Sequence, residues 1–120
     1  IVGNTTISRP ANLRSPKASE TGGLSGAPLF ALSNRVLAKA ATHAAGRLVL
    51  VGAGGIRSGA DALAKIEAGA SLVQLYTGFA YAGPAMVPRL KAELLAAMRA
   101  AGYRTIGEAV GRRMREYAEG

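Results

Sequence analysis

At 120 residues the chain has the length of one small domain, and with 49% hydrophobic residues it is not a disordered polymer. It contains no cysteine, which excludes a disulfide framework and suits a soluble protein of a reducing compartment. Lys and Arg outnumber Asp and Glu 15 to 7, but the positives are dispersed, aromatic residues for stacking bases are few, and the pattern argues for a solvated surface rather than a nucleic-acid face.

Ile1 to Asn4 reads as the end of a strand, so the chain is expected to start inside one. Thr5 to Gly26 is polar and too long for an ordinary connection, as expected of a lid or binding loop. Pro28 suits the first turn of a helix whose Leu29, Leu32, Val36 and Leu37 recur at three- and four-residue spacing until Gly46 closes it. Leu48 to Val51 is an uninterrupted apolar run, the pattern of a parallel strand covered on both faces, and Gly52 to Gly55 ends it abruptly. Ser58 then caps a helix, with Asp61 three residues on as in a capping box, Leu63 and Ile66 on the buried face, and Gly69 at the left-handed C-terminal position. Leu72 to Tyr76 repeats the buried-strand pattern, Thr77-Gly78 turns, and Pro84 opens a helix carrying Met86, Val87, Leu90, Leu94 and Met98 on one side. Thr105 to Glu108 is a second capping-box candidate and starts a short, basic C-terminal helix. No apolar run approaches the roughly 18 residues that span a bilayer, and no basic leader precedes Ile1, so neither a membrane-spanning nor a targeting segment is expected.

Three strand-helix units with short returns require parallel pairing, which leaves an open doubly wound sheet or a closed barrel. A dinucleotide fold wants G-x-G-x-x-G and an acid about twenty residues on. Here Gly52-Ala53-Gly54-Gly55-Ile56 runs on to Arg57, and Gln74 stands where the acid belongs. A barrel fits better, because its phosphate site uses loops after the seventh and eighth strands, where backbone amides point at an anion. Gly54 and Gly55 follow one such strand, Tyr76 and Thr77 the next. The expected class is therefore α/β, the C-terminal three βα units of a (β/α)8 TIM barrel, with residues 1–120 forming the C-terminal part of a single domain.

Four segments carry a more specific likeness: Asn4-Thr5-Thr6, Glu20 to Leu29 (with Thr21-Gly22-Gly23-Leu24-Ser25-Gly26 at its heart), Gly52 to Ile56, and Gly69 to Gly78. In this order they resemble dihydroorotate dehydrogenase, and the Thr-Gly-Gly-Leu-Ser-Gly-x-Pro-Leu block followed by Ser33 resembles the quinone-linked class. The resemblance implies oxidation of dihydroorotate to orotate in pyrimidine biosynthesis, with hydride passing to FMN and electrons to a quinone. It also implies peripheral contact with the cytoplasmic face of a bacterial inner membrane, through a part of the protein before Ile1. Carried over by motif, Asn4 and Thr5 bind the substrate, and Gly26, Gly55, Tyr76 and Thr77 hold FMN, chiefly its phosphate, through the backbone. Gly3 departs from the family, which often has Thr or Ser there. The general base, a serine in this class, is expected upstream of Ile1, together with a lysine near the flavin.

Each of these residues also has a plainer reading. Asn4-Thr5 alone suits a self-satisfied turn, and the glycines suit loop flexibility or close helix packing. Tyr76, an aromatic at a strand end, suits the core. His43 sits where a helix C-terminus favours positive charge, Met86 and Met98 suit core gaps, and Arg57 suits an exposed helix start while remaining near enough to reach a phosphate. Other flavin or phosphate barrels share glycine turns, among them dihydrouridine synthase, dihydropyrimidine dehydrogenase and sugar-phosphate isomerase types. A basic RNA- or membrane-binding module through Arg112, Arg113 and Arg115 explains the charge but not the glycines.

Overall fold

Two strands in the computed structural model, which describes residues 1–120, run parallel. They are β1 (Val51–Ala53) and β2 (Leu72–Gln74), with Val51 opposite Leu72 and Ala53 opposite Gln74. Val2 makes a parallel bridge to Gly52, its amide donating to the Val51 carbonyl at 3.3 Å. Three extended segments therefore lie side by side, each followed by helix. A 3-10 turn (Ala27–Leu29) leads into α1 (Phe30–Ala44), α2 (Gly59–Glu67) joins β1 to β2, and α3 (Thr77–Ala82) and α4 (Met86–Ala100) follow β2. The short helices α5 (Ile106–Ala109) and α6 (Met114–Glu119) end the chain.

The start of α2 shows how local sequence fixes these elements. Ser58 Oγ accepts from the Asp61 amide at 3.1 Å, and Asp61 Oδ2 accepts from the Ser58 and Arg57 amides at 3.1 and 2.9 Å, the expected capping box. A further amide, that of Gly59, donates to Glu93 Oε2 of α4 at 2.8 Å, so a second helix completes the cap. That bond is the chief reason the Glu93 carboxyl is held below the usual carboxylate range, with Arg89 as the lesser cause. Gly59 has no alternative side chain: a Cβ there would lie 2.1 Å from the Leu94 nitrogen.

Packing falls into three clusters. Leu37, Ala38, Ala41 and Ala44 of α1 meet Leu50, Ala68 and Ala70, with Met114 and Tyr117 of α6 against them. Ile56, Ala62, Met86 and Leu90 join α2 to α4 near the cleft, and Leu63, Ile66, Met98 and Ala109 join them at the far end. Met86 and Met98 are thus core residues, each surrounded by aliphatic side chains. The small residues on α1 and after α2 let backbones approach closely, as the parallel strands between them require.

Several expectations are corrected. The strand read at Leu48 to Val51 lies two to three residues later, and Leu48 and Val49 are 67% and 72% exposed. Gly52 and Ala53 belong to the strand because they pair with Val73 and Gln74, and glycine stands at 52 because a Cβ there would crowd Ala70, Leu37 and Lys65, with the Ala70 Cβ only 3.0 Å away. The first strand reduces to the single Val2 bridge, and the strand read at Leu72 to Tyr76 stops at Gln74, with Tyr76 83% exposed rather than core. Thr77-Gly78 opens α3 rather than a turn. On α1 the buried face runs through Ser33, Asn34 and Leu37, leaving Leu32 and Val36 exposed, and on α4 Val87 is exposed too. Ala45, with φ 48, takes the left-handed cap position one residue before Gly46. The C-terminal helix is two helices; Thr105 caps α5 by accepting from the Glu108 amide, while Glu108 turns to the Arg104 amide instead of closing the box. His43 sits in the last turn of α1, as expected.

The close approach of α2 and α4 is open to test. Ser58→Ala removes one cap acceptor and is expected to cost about 1 kcal/mol. Gly59→Ala must push α4 away and is expected to cost about 3 kcal/mol, read as urea midpoints of the full-length protein. Equal losses for the two variants rule out the tight contact.

Candidate functional site

The three extended segments end at one cleft of about 1110 Å³. Asn4 and Thr5 line it from the first segment, Gly26 from the loop before α1, Gly54 and Gly55 from the end of β1, and Tyr76 and Thr77 from the end of β2. All six residues singled out from the sequence therefore share one cavity.

The backbone at these places is unusual in a consistent way. Gly26, Gly54 and Gly55 have φ of 82, 96 and 78, in the left-handed region where a Cβ is strained. At Gly55 there is no room for one either, since it would lie 2.6 Å from the Phe30 Cβ and 2.7 Å from the Phe30 Cα at the start of α1. A Cβ at Gly26 would press on Thr77 Cγ2 at 3.2 Å, and Thr77 Oγ1 donates to Ser25 Oγ at 3.0 Å, which ties the loop before α1 to the start of α3. No acceptor within the chain takes the amides of Gly26, Gly55 or Thr77. Donors of this kind, brought together by residues without bulk, make an anion cradle.

Charge agrees with that reading. Arg57 and Arg89 are the only charged side chains lining the cleft, and both are cations. Each is held by an acid outside it: Arg57 lies 3.9 Å from Asp61, and Arg89 pairs with Glu93 at 2.7 Å. With both arginines paired, the donors left without a partner at the cleft are backbone amides.

The segment Thr5 to Gly26 is stapled. Thr6 and Leu24 exchange amide-to-carbonyl bonds of 3.0 and 2.7 Å across its neck. Inside it the Arg9 guanidinium donates to the carbonyls of Gly22 at 2.7 Å, Glu20 at 3.0 Å, Ala18 and Ile7 at 3.1 Å, and also to Thr6 and Ser8. A Cβ at Gly23 would overlap Thr5 Oγ1 at 1.9 Å, so that glycine lets the loop close over Thr5. Arg9 escapes the sequence reading; nothing local distinguishes it from Arg14 and Lys17 in the same polar, acid-poor loop.

Lys65, one of the dispersed cations that the charge pattern assigns to a solvated surface, is instead fully buried. Its Nζ bonds Ser33 Oγ and lies 5.2 Å from the centre of the Phe30 ring. Burial pulls its pKa down to about 8, against a smaller opposing effect of Asp61, so it stays largely a cation at neutral pH. Helical spacing alone puts it on the polar face of α2; Ser33 and Phe30 of α1 cover that face.

The matches to known proteins bear on the same residues. The family model for dihydroorotate dehydrogenase matches residues 1–98. The chain belongs to the dihydroorotate dehydrogenase family. It is 61% identical over 111 residues to the dihydroorotate dehydrogenase (quinone) of Azorhizobium caulinodans, covering 92% of this chain and 31% of that one. To the mitochondrial dihydroorotate dehydrogenase (quinone) of Arabidopsis thaliana it is 54% identical, covering 92% of this chain and 24% of the relative. The ligand-free DHODH of Eimeria tenella superposes with a TM-score of 0.89 at 44% identity, over 93% of this chain and 31% of that one. The α/β arrangement is that of three βα units of the dihydroorotate dehydrogenase barrel, and the chain spans about a third or less of the length of these relatives. Neither the other phosphate barrels nor a basic binding module is favoured by these matches.

Gly55 is the position to test. Gly55→Ala puts a methyl into the α1 backbone and a side chain at φ 78, and is expected to weaken FMN binding by the full-length protein by about a hundredfold or more, from strain and displacement of one amide together. Wild-type FMN affinity in that variant, read by flavin fluorescence, rules the turn out as a cradle.

Proposed function

We propose that the complete protein oxidises dihydroorotate to orotate in pyrimidine biosynthesis, and that residues 1–120 are the C-terminal part of its FMN-binding barrel. The observation that supports this is that Gly26, Gly55 and Thr77, whose amides find no acceptor within the chain, line one cleft whose only charged side chains are cationic. FMN fits that cleft by its phosphate, the group for which glycine amides are the natural donors. When bound, the flavin supplies the acceptor for the hydride and hands electrons on to a quinone.

In this reading Gly26, Gly55, Tyr76 and Thr77 hold the phosphate end through the main chain. Tyr76 is 83% exposed at the mouth of the cleft, which suits a contact residue. Asn4 and Thr5 face the same space from the first segment, and their amide and hydroxyl offer donors and acceptors to a planar pyrimidine carrying imide and carboxylate groups. The serine base and the surfaces that meet quinone and membrane belong to the length of the family outside residues 1–120. A quinone acceptor makes the complete protein peripheral to a membrane, the cytoplasmic face of the inner membrane in a bacterium.

Titrating orotate into the FMN-loaded full-length protein is expected to shift the flavin absorbance, and Asn4→Ala is expected to weaken that response by about tenfold or more, the loss of a paired polar group in a buried contact. A flavin spectrum indifferent to orotate overturns the substrate assignment. Residues 1–120 alone leave the sides of the sheet uncovered, and are expected to bind FMN weakly and to reduce no dye with dihydroorotate. Turnover by the isolated segment overturns the placement of the base outside it.

A further inference from the structure

A buried cation without a carboxylate partner is costly, and Lys65 is one: it is fully buried and makes no ion pair within the chain. Its polar contact is Ser33 Oγ on α1. Ser33 in turn reaches the Gly54 carbonyl at 3.2 Å, with the Phe30 carbonyl at 3.0 Å as its other acceptor. Because Lys65 has only hydrogens to give, the serine oxygen accepts from it and is left with its own hydroxyl hydrogen to donate to these carbonyls.

The next step follows from peptide geometry. In a planar trans peptide the carbonyl and the following amide point in opposite directions. With the Gly54 carbonyl drawn inward to Ser33, the Gly55 amide is turned outward, away from Lys65 and toward the cleft that Gly54 and Gly55 line. Gly54 tolerates this because it is free of a Cβ, which would lie 3.1 Å from Ser33 Oγ. The positive end of the relay lies inside the protein and an unpaired donor lies at its other end, so an anion held by Gly55 completes the line of dipoles and supplies the counter-charge that the interior lacks.

We propose that Lys65 is the buried positioning residue of the anion cradle, acting through Ser33 to aim the Gly55 amide at the phosphate of the bound nucleotide. The inference rests on the reading of the cleft as a site for FMN. Its charge at neutral pH, with burial lowering its pKa only to about 8, is in keeping with that role. The selectivity it confers is for the phosphate and not for the flavin ring.

The test uses apo full-length enzyme and two probes, FMN and riboflavin, the second lacking only the phosphate. Wild-type protein is expected to prefer FMN strongly. Lys65→Met, which keeps an unbranched apolar stem, and Ser33→Ala are each expected to weaken FMN by about tenfold or more while changing riboflavin by less than about twofold. Since the two residues act in series, the double variant is expected to be no weaker than the worse single one. A merely structural role lowers both ligands together, and that result, or an unchanged preference for FMN in both variants, overturns the proposal. Wild-type protein that does not distinguish FMN from riboflavin overturns the phosphate reading of the cleft itself, a separate failure. If Lys65→Met does not fold, Ser33→Ala, which removes one oxygen, decides on the same criteria.

Discussion

The turn at the end of β1 is the constraint on which the rest depends. Two successive residues with positive φ reverse the chain where it meets the start of α1, and at Gly55 the Phe30 backbone leaves no space for a side chain. Because the chain must reverse there, it can present an amide to the cleft instead of burying it in a ladder. The neighbouring donors are set by the same economy of bulk: Gly26 leaves open the space that a Cβ would take against Thr77, and Thr77 Oγ1 donates to Ser25 Oγ, which ties the loop before α1 to the start of α3. Donors held in place before a ligand arrives are the ones that act effectively on a charged group.

The scaffold behind the turn is held from the far end. The last carbonyls of a helix lack partners of their own, and those at the end of α2 are taken by the C-terminal segment: the Gly111 amide donates to Ile66 and the Arg113 amide to Glu67, at 3.0 and 3.1 Å. The Glu67 carboxylate, nearly buried, accepts from Tyr103 Oη at 3.1 Å and from Arg113 at 3.4 Å. The α6 side chains then close over α1. Residues beyond the family match at 98 therefore act on α2, the helix that carries Lys65, and through it on the turn.

Much of this was legible in the sequence, for identifiable reasons. The capping box at Ser58 and Asp61 is a local signal and formed as read, and the order of strands and helices survived because periodicity averages over many residues. Strand limits did not survive. Leu48 and Val49 look like core by composition, but the ladder begins only where Val51 finds Leu72, and a pairing partner twenty residues away is invisible to a local pattern. Lys65 failed for a related reason, since helical spacing says which face a residue shares and not whether another element covers that face. The six cleft residues were found from family motifs, while Arg9 has no motif of its own and is recognised only when the carbonyls around it are seen to converge.

A site that works through main-chain amides, as proposed, also accounts for how little the net charge of +8 says about the ligand. Surface cations are screened within about 8–10 Å at ordinary ionic strength, so most of the fifteen basic residues contribute little field at the cleft. The two arginines that do line it are already engaged by Asp61 and Glu93. Lys65 differs because burial takes it out of solvent screening, and one hydroxyl and one peptide separate it from the cleft. Position in the dielectric therefore outweighs number. In the proposed relay one buried cation behind a glycine turn bears more on an anion than a cluster such as Arg112, Arg113 and Arg115 at the surface, so the dispersed charge of the chain is a poorer guide to the ligand than its glycine turns.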